Sequence, residues 1–558
     1  MALENLITEH IDIWTSAVKT KSTSGRGSSK KLELYGVKKL RELILELAVR
    51  GKLVPQNPND EPASFLLQRI SEEKTQLIKE KKITKPKKLP AIKKQDITFA
   101  LPEGWQACYF GDIYSLVYGD NLPKAKRTES GEFLVYGSNG SVGTHNLFSV
   151  GSPCLVIGRK GSAGAINLSD QPCWVTDVAY SLIPPVGISL KYCFLHLQTL
   201  GLDSLGKGIK PGLNRNEANA LVVCTPPSDE QHRIVAKVDE LMALCDQLEQ
   251  QTEASIEAHQ VLVTTLLDTL TNSADADELM QNWARISEHF DTLFSTEESI
   301  DQLKQTILQL AVMGKLVPQD PSDEPAAELL KRIADEKAQL VKDKKIKKQK
   351  ALPPIAEDEK PFELPSGWEW CYLQDLFSVV TDGDHQAPPK SDEGTPFLVI
   401  GNLNTGHIQF EGCNYVPAQY FDKLDWTRQP SKGDLLYTVT GSYGIPILVT
   451  EDVPFCVQRH VAILNSTADT PVEYIQYVLR SKYSFDFATS VATGIAQKTV
   501  PLTGLRKMPI PLPPLKERSE ILQMIATLIG VCEQLKVSIR DSQTNQLHLT
   551  DAIVEQVV

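Results

Sequence analysis

Apolar residues along this chain fall into two textures, one helical and one strand-like. Ile234, Val238, Leu241, Cys245 and Leu248 step by four, three, four and three, and Ile521, Ile525, Leu528, Cys532 and Leu535 repeat those steps. This is the a/d spacing of a helix–helix seam and predicts two long helices. Helix-compatible sequence continues toward Leu270 and toward the C-terminus, so each helix would run about 40 residues and span about 60 Å. Two such helices packed antiparallel on each other meet the pattern; so do two amphipathic helices on separate domains. A shorter stripe, Leu66, Leu67, Ile70 and Leu77, predicts a further helix, and Leu329, Leu330, Ile333 and Leu340 predict its twin. Residues 101–225 and 364–512 are different. They are rich in Gly, Pro, Val, Ile and aromatics, with bursts such as FLVYG, PCLVIG, FLVIGN and DLLYTVTG, and predict short strands joined by tight turns.

The twin patterns belong to a duplication. LRELILELAVRGKLVPQNPNDEPASFLLQRI from Leu40 aligns without a gap with LKQTILQLAVMGKLVPQDPSDEPAAELLKRI from Leu303, at an offset of 263 (303 − 40). The register holds to LPEGW (Leu101–Trp105) and LPSGW (Leu364–Trp368), then similarity collapses. It returns at Pro226-Pro227 and Pro513-Pro514 with an offset of 287 (513 − 226), so the second insert is longer by 24 (287 − 263). Upstream, LITEHIDI from Leu6 resembles RISEHFDT from Arg285 at an offset of 279. The first copy therefore carries 16 further residues (279 − 263), supplied by the Ser/Gly/Lys run Ser16–Lys31, a predicted flexible loop. A kept frame with diverged inserts presents one partner surface twice and two different surfaces once each. Asp60 and Asp323 are expected to cap the helices that open at DEPA. Those helices run into lysine, Lys79–Lys88 and Lys342–Lys350, as solvated helix ends or as contacts for phosphate or an acidic partner.

A chain of 558 residues implies several domains. The formal charge of −12, from 58 Lys and Arg against 70 Asp and Glu, argues against nonspecific coating of nucleic acid but leaves room for a local basic face. The 10 cysteines are scattered without a C-x-x-C pair or a His cluster, which disfavours zinc and disulfide scaffolds and implies a reducing compartment. With no signal-peptide pattern and no apolar run near about 18 residues, the expectation is a soluble, intracellular protein. Catalytic motifs are missing too. GLDSLGKG (Gly201–Gly208) has Gly208 where a P-loop needs Ser or Thr, and GRKGSAG (Gly158–Gly164) lacks the dinucleotide spacing. No Asn/Asp-Pro-Pro-aromatic tetrapeptide, G-x-S-x-G elbow or H-E-x-x-H occurs. The expectation is a chain without catalytic or metal-binding residues of its own.

The layout resembles the DNA-specificity subunit of type I restriction–modification enzymes. LPEGW and LPSGW carry the resemblance, with YGSNG (Tyr136–Gly140), IGRKGSAG (Ile157–Gly164), the stretch Thr381–Gly406, and the insert ends GIKPGLNRNEANALVVCTPPSDEQHRIV and GIAQKTVPLTGLRKMPIPLPPLKERSEI. GKLVPQ repeated centrally, together with Thr271–Phe294, is similar to the branch with large conserved regions at the N-terminus and centre. The resemblance covers nearly the whole chain. It implies an α+β fold: two mixed, strand-rich target-recognition domains separated by two long antiparallel coiled-coil helices, in a pseudo-twofold internal repeat. The regions would be 1–99 (N-terminal helical), 100–225 (first recognition domain), 226–362 (central spacer helix and repeat block), 363–512 (second recognition domain) and 513–558 (C-terminal spacer helix). It further implies a non-catalytic subunit whose two inserts read the halves of a bipartite, asymmetric double-stranded DNA site. Two adenine-methylating modification subunits would dock on the frame, and two restriction subunits would join. S-adenosylmethionine would be bound by the modification subunit, ATP and Mg by the restriction subunit, and no cofactor by this chain. The compartment would be the bacterial or archaeal cytoplasm, with no membrane partner.

Reading DNA takes side chains at base edges and others on phosphates. In the first insert the candidates are Lys124, Lys126, Arg127, Ser138, Asn139, Arg159, Lys160, Lys207, Lys210, Asn214 and Arg215. In the second they are His385, Lys390, Asn402, Asn404, Ser442, Tyr443, Gln458, Arg459, His460, Gln497 and Lys498. Arg159 beside Lys160 leads, because flanking glycines let the backbone approach a phosphate. Trp105 and Trp368 are expected as core anchors, since a residue kept in both copies cannot distinguish two half-sites. The rival readings are a tandem scaffold without DNA specificity, and a nuclease or methyltransferase of unfamiliar motif.

Overall fold

The computed structural model describes residues 3–21, 31–85, 87–128, 130–205, 212–385, 388–495 and 497–557. The chain divides into two compact units, Met1–Ser255 with Ser542–Val558, and Ile256–Asp541. Helices α1 (Tyr35–Val49) and α2 (Ala63–Lys79) come from the first repeat block; α3 (Leu190–Gln198) follows within the first insert. The 44-residue α4 (Ser228–Thr271) leads to α5 (Ala276–Glu288). The second block gives α6 (Glu297–Val312) and α7 (Ala326–Lys342), the second insert α8 (Val472–Arg480) and α9 (Lys482–Val491), and the 43-residue α10 (Leu515–Val557) ends the chain.

In the first unit α1 buries Val37, Leu40, Ile44 and Leu47, a three-and-four spacing that faces one side of a helix inward. Its Arg41 Nη2 pairs with Asp246 and Glu249 of α4, each at 2.7 Å, and Tyr35 Oη donates to Asp551 of α10 at 2.7 Å. In the second unit α6 pairs with α10 in the same way. Lys304 meets Glu533, Lys536 meets Asp301 at 2.8 Å, and Arg540 meets Glu297 at 2.6 Å. The predicted seam residues Ile234, Val238, Leu241, Cys245, Ile521, Ile525 and Cys532 are all buried, while Leu248, Leu528 and Leu535 are half-buried. Heptad spacing says that this stripe is buried but not against what. Ile521 and Ile525 share a core with Leu308, Ala311 and Val312 of α6, Leu329 and Ile333 of α7, and the second strand-rich domain. Cys532 shares one with Leu303 and Ile307 of α6 and with Val263, Leu267 and Leu270 of α4.

The conserved words of the two blocks meet at one buried node in each unit. Trp105 Nε1 donates to Glu230 Oε2 at 3.0 Å, and Gln56 Nε2 donates to Glu230 Oε1 at 3.1 Å and to Gly51 O at 2.8 Å. Trp368 Nε1, Gln319 Nε2, Glu517 and Gly314 O repeat this with distances of 3.0, 3.3 and 2.6 Å. Gly51 has φ +67° and lies so close to Pro102 that a Cβ would approach Cγ to 2.5 Å; Gly314 at φ +68° meets Pro365 identically at 2.5 Å. Burial holds the Glu230 and Glu517 carboxyls above the usual carboxylate range, against the lowering effect of their Gln and Trp donors.

The same geometry corrects two expectations. Asp60 and Asp323 do not cap α2 and α7. Their N-caps are Pro62 and Pro325, and the first free N–H, of Ala63 or Ala326, is taken by the carbonyl of Gly104 (2.8 Å) or Gly367 (2.9 Å). Asp60 instead pairs with Arg233 at 2.6 Å, and Asp323 lies 3.7 Å from Lys516. The Ser16–Lys31 run is not loop throughout: Lys19–Lys21 pairs antiparallel with Lys31–Glu33, and its middle lies outside the described residues. Helix α10 is long and apolar enough by length and composition to cross a membrane, with an 18-residue window of mean hydropathy 1.3, 17% buried. Gln523, Thr527 and Gln534 interrupt its apolar residues, so no continuous run announces it. The lysine runs begin where α2 and α7 end, at Lys79 and Lys342, with Lys81 (φ 59°) and Lys344 (φ 57°) just beyond, where cations suit a helix C-terminus.

Among the described residues each insert folds into nine strands in one shared order. The first has β1 (Gln106–Tyr109), β2 (Val117–Tyr118), β3 (Phe133–Gly137), β4 (Gly140–His145), β5 (Cys154–Gly158), β6 (Ile166–Ser169), β7 (Cys173–Val175), β8 (Ala179–Leu182) and β9 (Val222–Thr225). The second has β10 (Glu369–Tyr372), β11 (Val379–Asp382), β12 (Thr395–Leu398), β13 (Asn414–Val416), β14 (Leu435–Thr438), β15 (Pro446–Leu448), β16 (Cys456–Val457), β17 (Val461–Asn465) and β18 (Pro509–Leu512). The four-stranded sheets run β2-β8-β5-β6 and β11-β17-β14-β15, all antiparallel. The three-stranded sheets run β4-β3-β7 and β13-β12-β16, each with a parallel pair, β3 with β7 and β12 with β16. The outermost strands pair as β1 with β9 and β10 with β18, which closes each insert at its entry and exit. Central β5, β8, β14 and β17 are buried on both faces and are mostly apolar, with Ser181, Thr438 and Asn465 as buried polar exceptions.

Two stability predictions follow from this packing. Trp105→Phe leaves Glu230 Oε2 without its donor and should cost about 1–3 kcal/mol. Glu230→Ala orphans Trp105 Nε1, takes one of the acceptors of Gln56 and leaves a cavity, and should lower the melting temperature of the full chain further. The second concerns His196 of α3, whose Nδ1 lies 2.9 Å from Tyr114 Oη and which burial pushes down to about 4. Between its ordinary 6.5 and about 4 the unfolded chain binds a proton that the folded chain refuses. Stability is therefore lost as pH falls through that window, by on the order of 3 kcal/mol in all. Thermal melts from pH 7 to 4 should show this slope in the parent and a shallower one in His196→Gln.

Candidate nucleic-acid interface

The glycine-rich hairpins between β5 and β6 and between β14 and β15 organise one end of each four-stranded sheet. GRKGSAG and TVTGSYG superpose at an offset of 280 (438 − 158). Gly161 (φ +85°) and Gly164 (φ +80°) occupy left-handed positions, and Gly441 (φ +73°) and Gly444 (φ +92°) occupy the same ones. Gly164 N donates to Gly158 O, and Gly444 N to Thr438 O, both at 2.9 Å. On one side Arg159 N donates to Val178 O (2.9 Å) and Val439 N to His460 O (3.0 Å). On the other, Leu213 N donates to Arg159 O (2.9 Å) and Val500 N to Val439 O (2.8 Å). The hairpin is thus clamped between the same two segments in both domains.

In the first domain this frame gathers Ser138, Arg159, Lys160, Asn214 and Arg215. A Cβ on Gly158 would lie 2.3 Å from Ser138 O, so the β3–β4 turn with Ser138 and exposed Asn139 sits directly on the hairpin. Lys160 is exposed and its backbone bridges Gly212. Arg159 Nε and Nη2 both donate to Asp177 O, at 3.1 and 2.5 Å. The guanidinium carbons of Arg159 and Arg215 lie 5.2 and 5.1 Å from the ring centre of Tyr118, which is half exposed. Asn214 Oδ1 accepts from Asn216 N at 2.9 Å and caps the short helix that carries Arg215. Lys124, Lys126 and Arg127 sit apart in sequence, on the segment that bridges through Thr128 to Thr144 of β4, and Arg127 is tied to Leu122 O. Lys207 and Lys210 lie outside the described residues.

In the second domain the frame gathers Ser442, Tyr443, His460, Gln497 and Lys498, with Gly441 N donating to Lys498 O at 3.0 Å. Exposed Arg459 is adjacent, and Gln458 bridges Asp384 beside exposed His385. Burial, with Arg459 beside it, lowers the His460 pKa. Two candidates turn inward. Asn402 is 8% exposed and its Oδ1 accepts from Val399 N at 3.0 Å, which secures a turn. Tyr443 stacks on Phe485 of α9 at 5.6 Å, and its hydroxyl pairs with Thr489 at 3.0 Å. Asn404 and Lys390 are exposed in loops flanking β12.

Strand register places further residues that motif reading missed. Tyr180 pairs with Ile157 and with Tyr118; Ala462 pairs with Tyr437 and with Asp382. Where the first domain has Arg159, Tyr118 and Tyr180, the second therefore has Val439, Asp382 and Ala462. Asp382 is nearly buried there, 3.2 Å from His385 Nε2 and 3.9 Å from Arg428, which also meets Asp384 at 3.1 Å. The G-S-x-G shared at an offset of 280 was the signal that could have aligned the inserts. Among the described residues no group of three or more His, Cys, Asp or Glu side chains could hold a metal ion.

Residues 102–258 and 365–541 match the family described as the type I restriction modification DNA specificity domain. The chain belongs to the DNA-specificity subunits of type I restriction–modification enzymes. It is 40% identical to the EcoEI specificity subunit of Escherichia coli, across 100% of this chain and 99% of that protein. It is 39% identical to the EcoAI specificity subunit of the same organism, across 100% of both. A solved HsdS subunit from Thermoanaerobacter tengcongensis aligns at 16% identity and a TM-score of 0.35, over 83% of this chain and 98% of that one. A specificity subunit is the non-catalytic member of its enzyme, in keeping with an α+β chain of two strand-rich domains and long helices.

Proposed function

We propose that this specificity subunit reads a split, asymmetric double-stranded DNA site, one half with residues 100–225 and the other with 363–512. The observation that carries the reading is a nine-strand frame shared by both domains, on which equivalent positions carry opposite chemistry. A common frame presents two readers alike; different side chains at Arg159/Val439, Tyr118/Asp382 and Tyr180/Ala462 suit two different half-sites. The exposed and half-buried candidates, Lys124, Lys126, Ser138, Asn139, Arg159, Lys160, Asn214 and Arg215 in one domain and His385, Lys390, Asn404, Ser442, Gln458, Arg459, His460, Gln497 and Lys498 in the other, supply the DNA contacts.

The duplicated helical frame, 1–99, 226–362 and 513–558, docks two modification subunits that methylate adenine, and two restriction subunits join them. A protein partner for α10 is supported by its exposed Met524, Val531 and Val537 beside paired Lys536 and Arg540. S-adenosylmethionine is bound by the modification subunit, ATP and Mg by the restriction subunit. The complex works in the cytoplasm of a bacterium or archaeon.

Methylation mapping in cells carrying this chain with its modification subunit should give a methyladenine motif of two short halves around a fixed unspecified gap. Replacing residues 100–225 should change one half only. Active modification without a split motif would favour a scaffold without DNA specificity. Lys160→Ala should weaken binding of the assembled complex to all sequences alike and reduce the salt slope by about 1.

A further inference from the structure

We infer that Arg159, set on the Tyr118 ring beside Arg215, recognises a guanine in the half-site of the first domain, through N7 and O6 on its major-groove edge. The inference rests on the split-site reading and names the residue and base within it.

A guanidinium can offer two parallel donors from its side edge or from its free end. The side edge of Arg159, Nε and Nη2, is spent on Asp177 O at 3.1 and 2.5 Å. That contact fixes the plane of the group and leaves both N–H bonds of Nη1 and one of Nη2 pointing away. Two parallel donors on a fixed plane match two adjacent acceptors, and guanine is the base that offers them in the major groove. The backbone of Arg159 is clamped from both sides by Val178 O and Leu213 N, so position as well as plane is set before DNA arrives.

Charge supports the same reading. Arg159 and Arg215 both lie within about 5 Å of one ring centre, so two cations share one aromatic surface. Among the described residues neither guanidinium forms an ion pair with a carboxylate. Two like charges held together without an anion repel, and acceptors on DNA would relieve that repulsion. Tyr118 is 50% exposed, and Tyr180 supports it from below at 5.0 Å, anchored by its hydroxyl to Leu213 O at 3.1 Å. At the equivalent place the second domain carries Val439 and a nearly buried Asp382, which cannot make this contact.

The test uses the full chain assembled with its modification subunit and duplexes carrying the mapped site. Each guanine of the first domain's half is replaced in turn by 7-deazaguanine, which lacks the N7 acceptor. One replacement should weaken binding of the parent about tenfold, in line with a single base contact. Arg159→Ala should bind more weakly and lose that sensitivity. Arg159→Lys, which keeps the charge without the fork, should also lose it while retaining more affinity. A half-site without guanine overturns the inference, as does sensitivity that survives in Arg159→Ala and Arg159→Lys; in both cases the split-site reading stands. Absence of any split motif removes that reading and this inference together.

Discussion

Trp105 and Trp368 each hand an indole N–H to a carboxylate almost out of water, and the rest of each unit is arranged around that contact. The carboxylate stands two residues into the first turn of a spacer helix, on Glu230 or Glu517. The indole opens the strand-rich domain, and the glutamine that shares the carboxylate closes GKLVPQ. Three segments distant in sequence are thereby joined through one buried acceptor. Burying a carboxylate is costly unless its lone pairs are met, so an element that slipped by one residue would leave a charge unpaired. This explains why LP-x-GW, GKLVPQ and the Pro-Pro pair stayed in step while the inserts between them diverged. A β1–β9 or β10–β18 ribbon beside the node fixes where each domain leaves the frame and returns to it.

Beyond the node, conservation becomes backbone rather than side chain. The two inserts align poorly, yet among the described residues all nine strands recur with the same neighbours, directions and parallel pair. Strands buried on both faces accept many combinations of Val, Ile, Leu and Tyr provided volume is filled. Glycines cannot drift in the same way where φ is positive, so Gly161 and Gly164 persist as Gly441 and Gly444. Between them Ser162 recurs as Ser442, while Ala163 gives way to Tyr443, whose ring packs on Phe485.

That division accounts for what the sequence could disclose. The helices, the duplication and the strand-rich texture were legible, since apolar spacing of four and three and a gapless offset survive any substitution that keeps a face buried. The partner of the helix seam was not: Ile521 and Ile525 face α6 and α7, and spacing alone does not name a neighbour. Nor could sequence show that Asn402 and Tyr443 turn inward while Tyr118 turns out, because exposure at a loop depends on which segment crosses it. Asp60 and Asp323 failed as caps for a similar reason, a distant carbonyl having taken the helix N-terminus.

The equivalent ends of the two sheets show what duplication permits. A reader built on a shared backbone can change chemistry without moving a strand: a fixed guanidinium with an aromatic ring in one domain, a carboxylate held by Arg428 and His385 in the other. Arginine offers donors and aspartate offers acceptors, so the two ends carry opposite hydrogen-bonding chemistry. Each arrangement also prevents the other. Asp382 in the place of Tyr118 would neutralise Arg159 within the protein, and Arg428 facing Tyr118 would add a third cation to a ring that already carries two. Divergence at one position therefore compels divergence at its neighbours, which is why the inserts lost their alignment as clusters of residues while the glycines around them kept register.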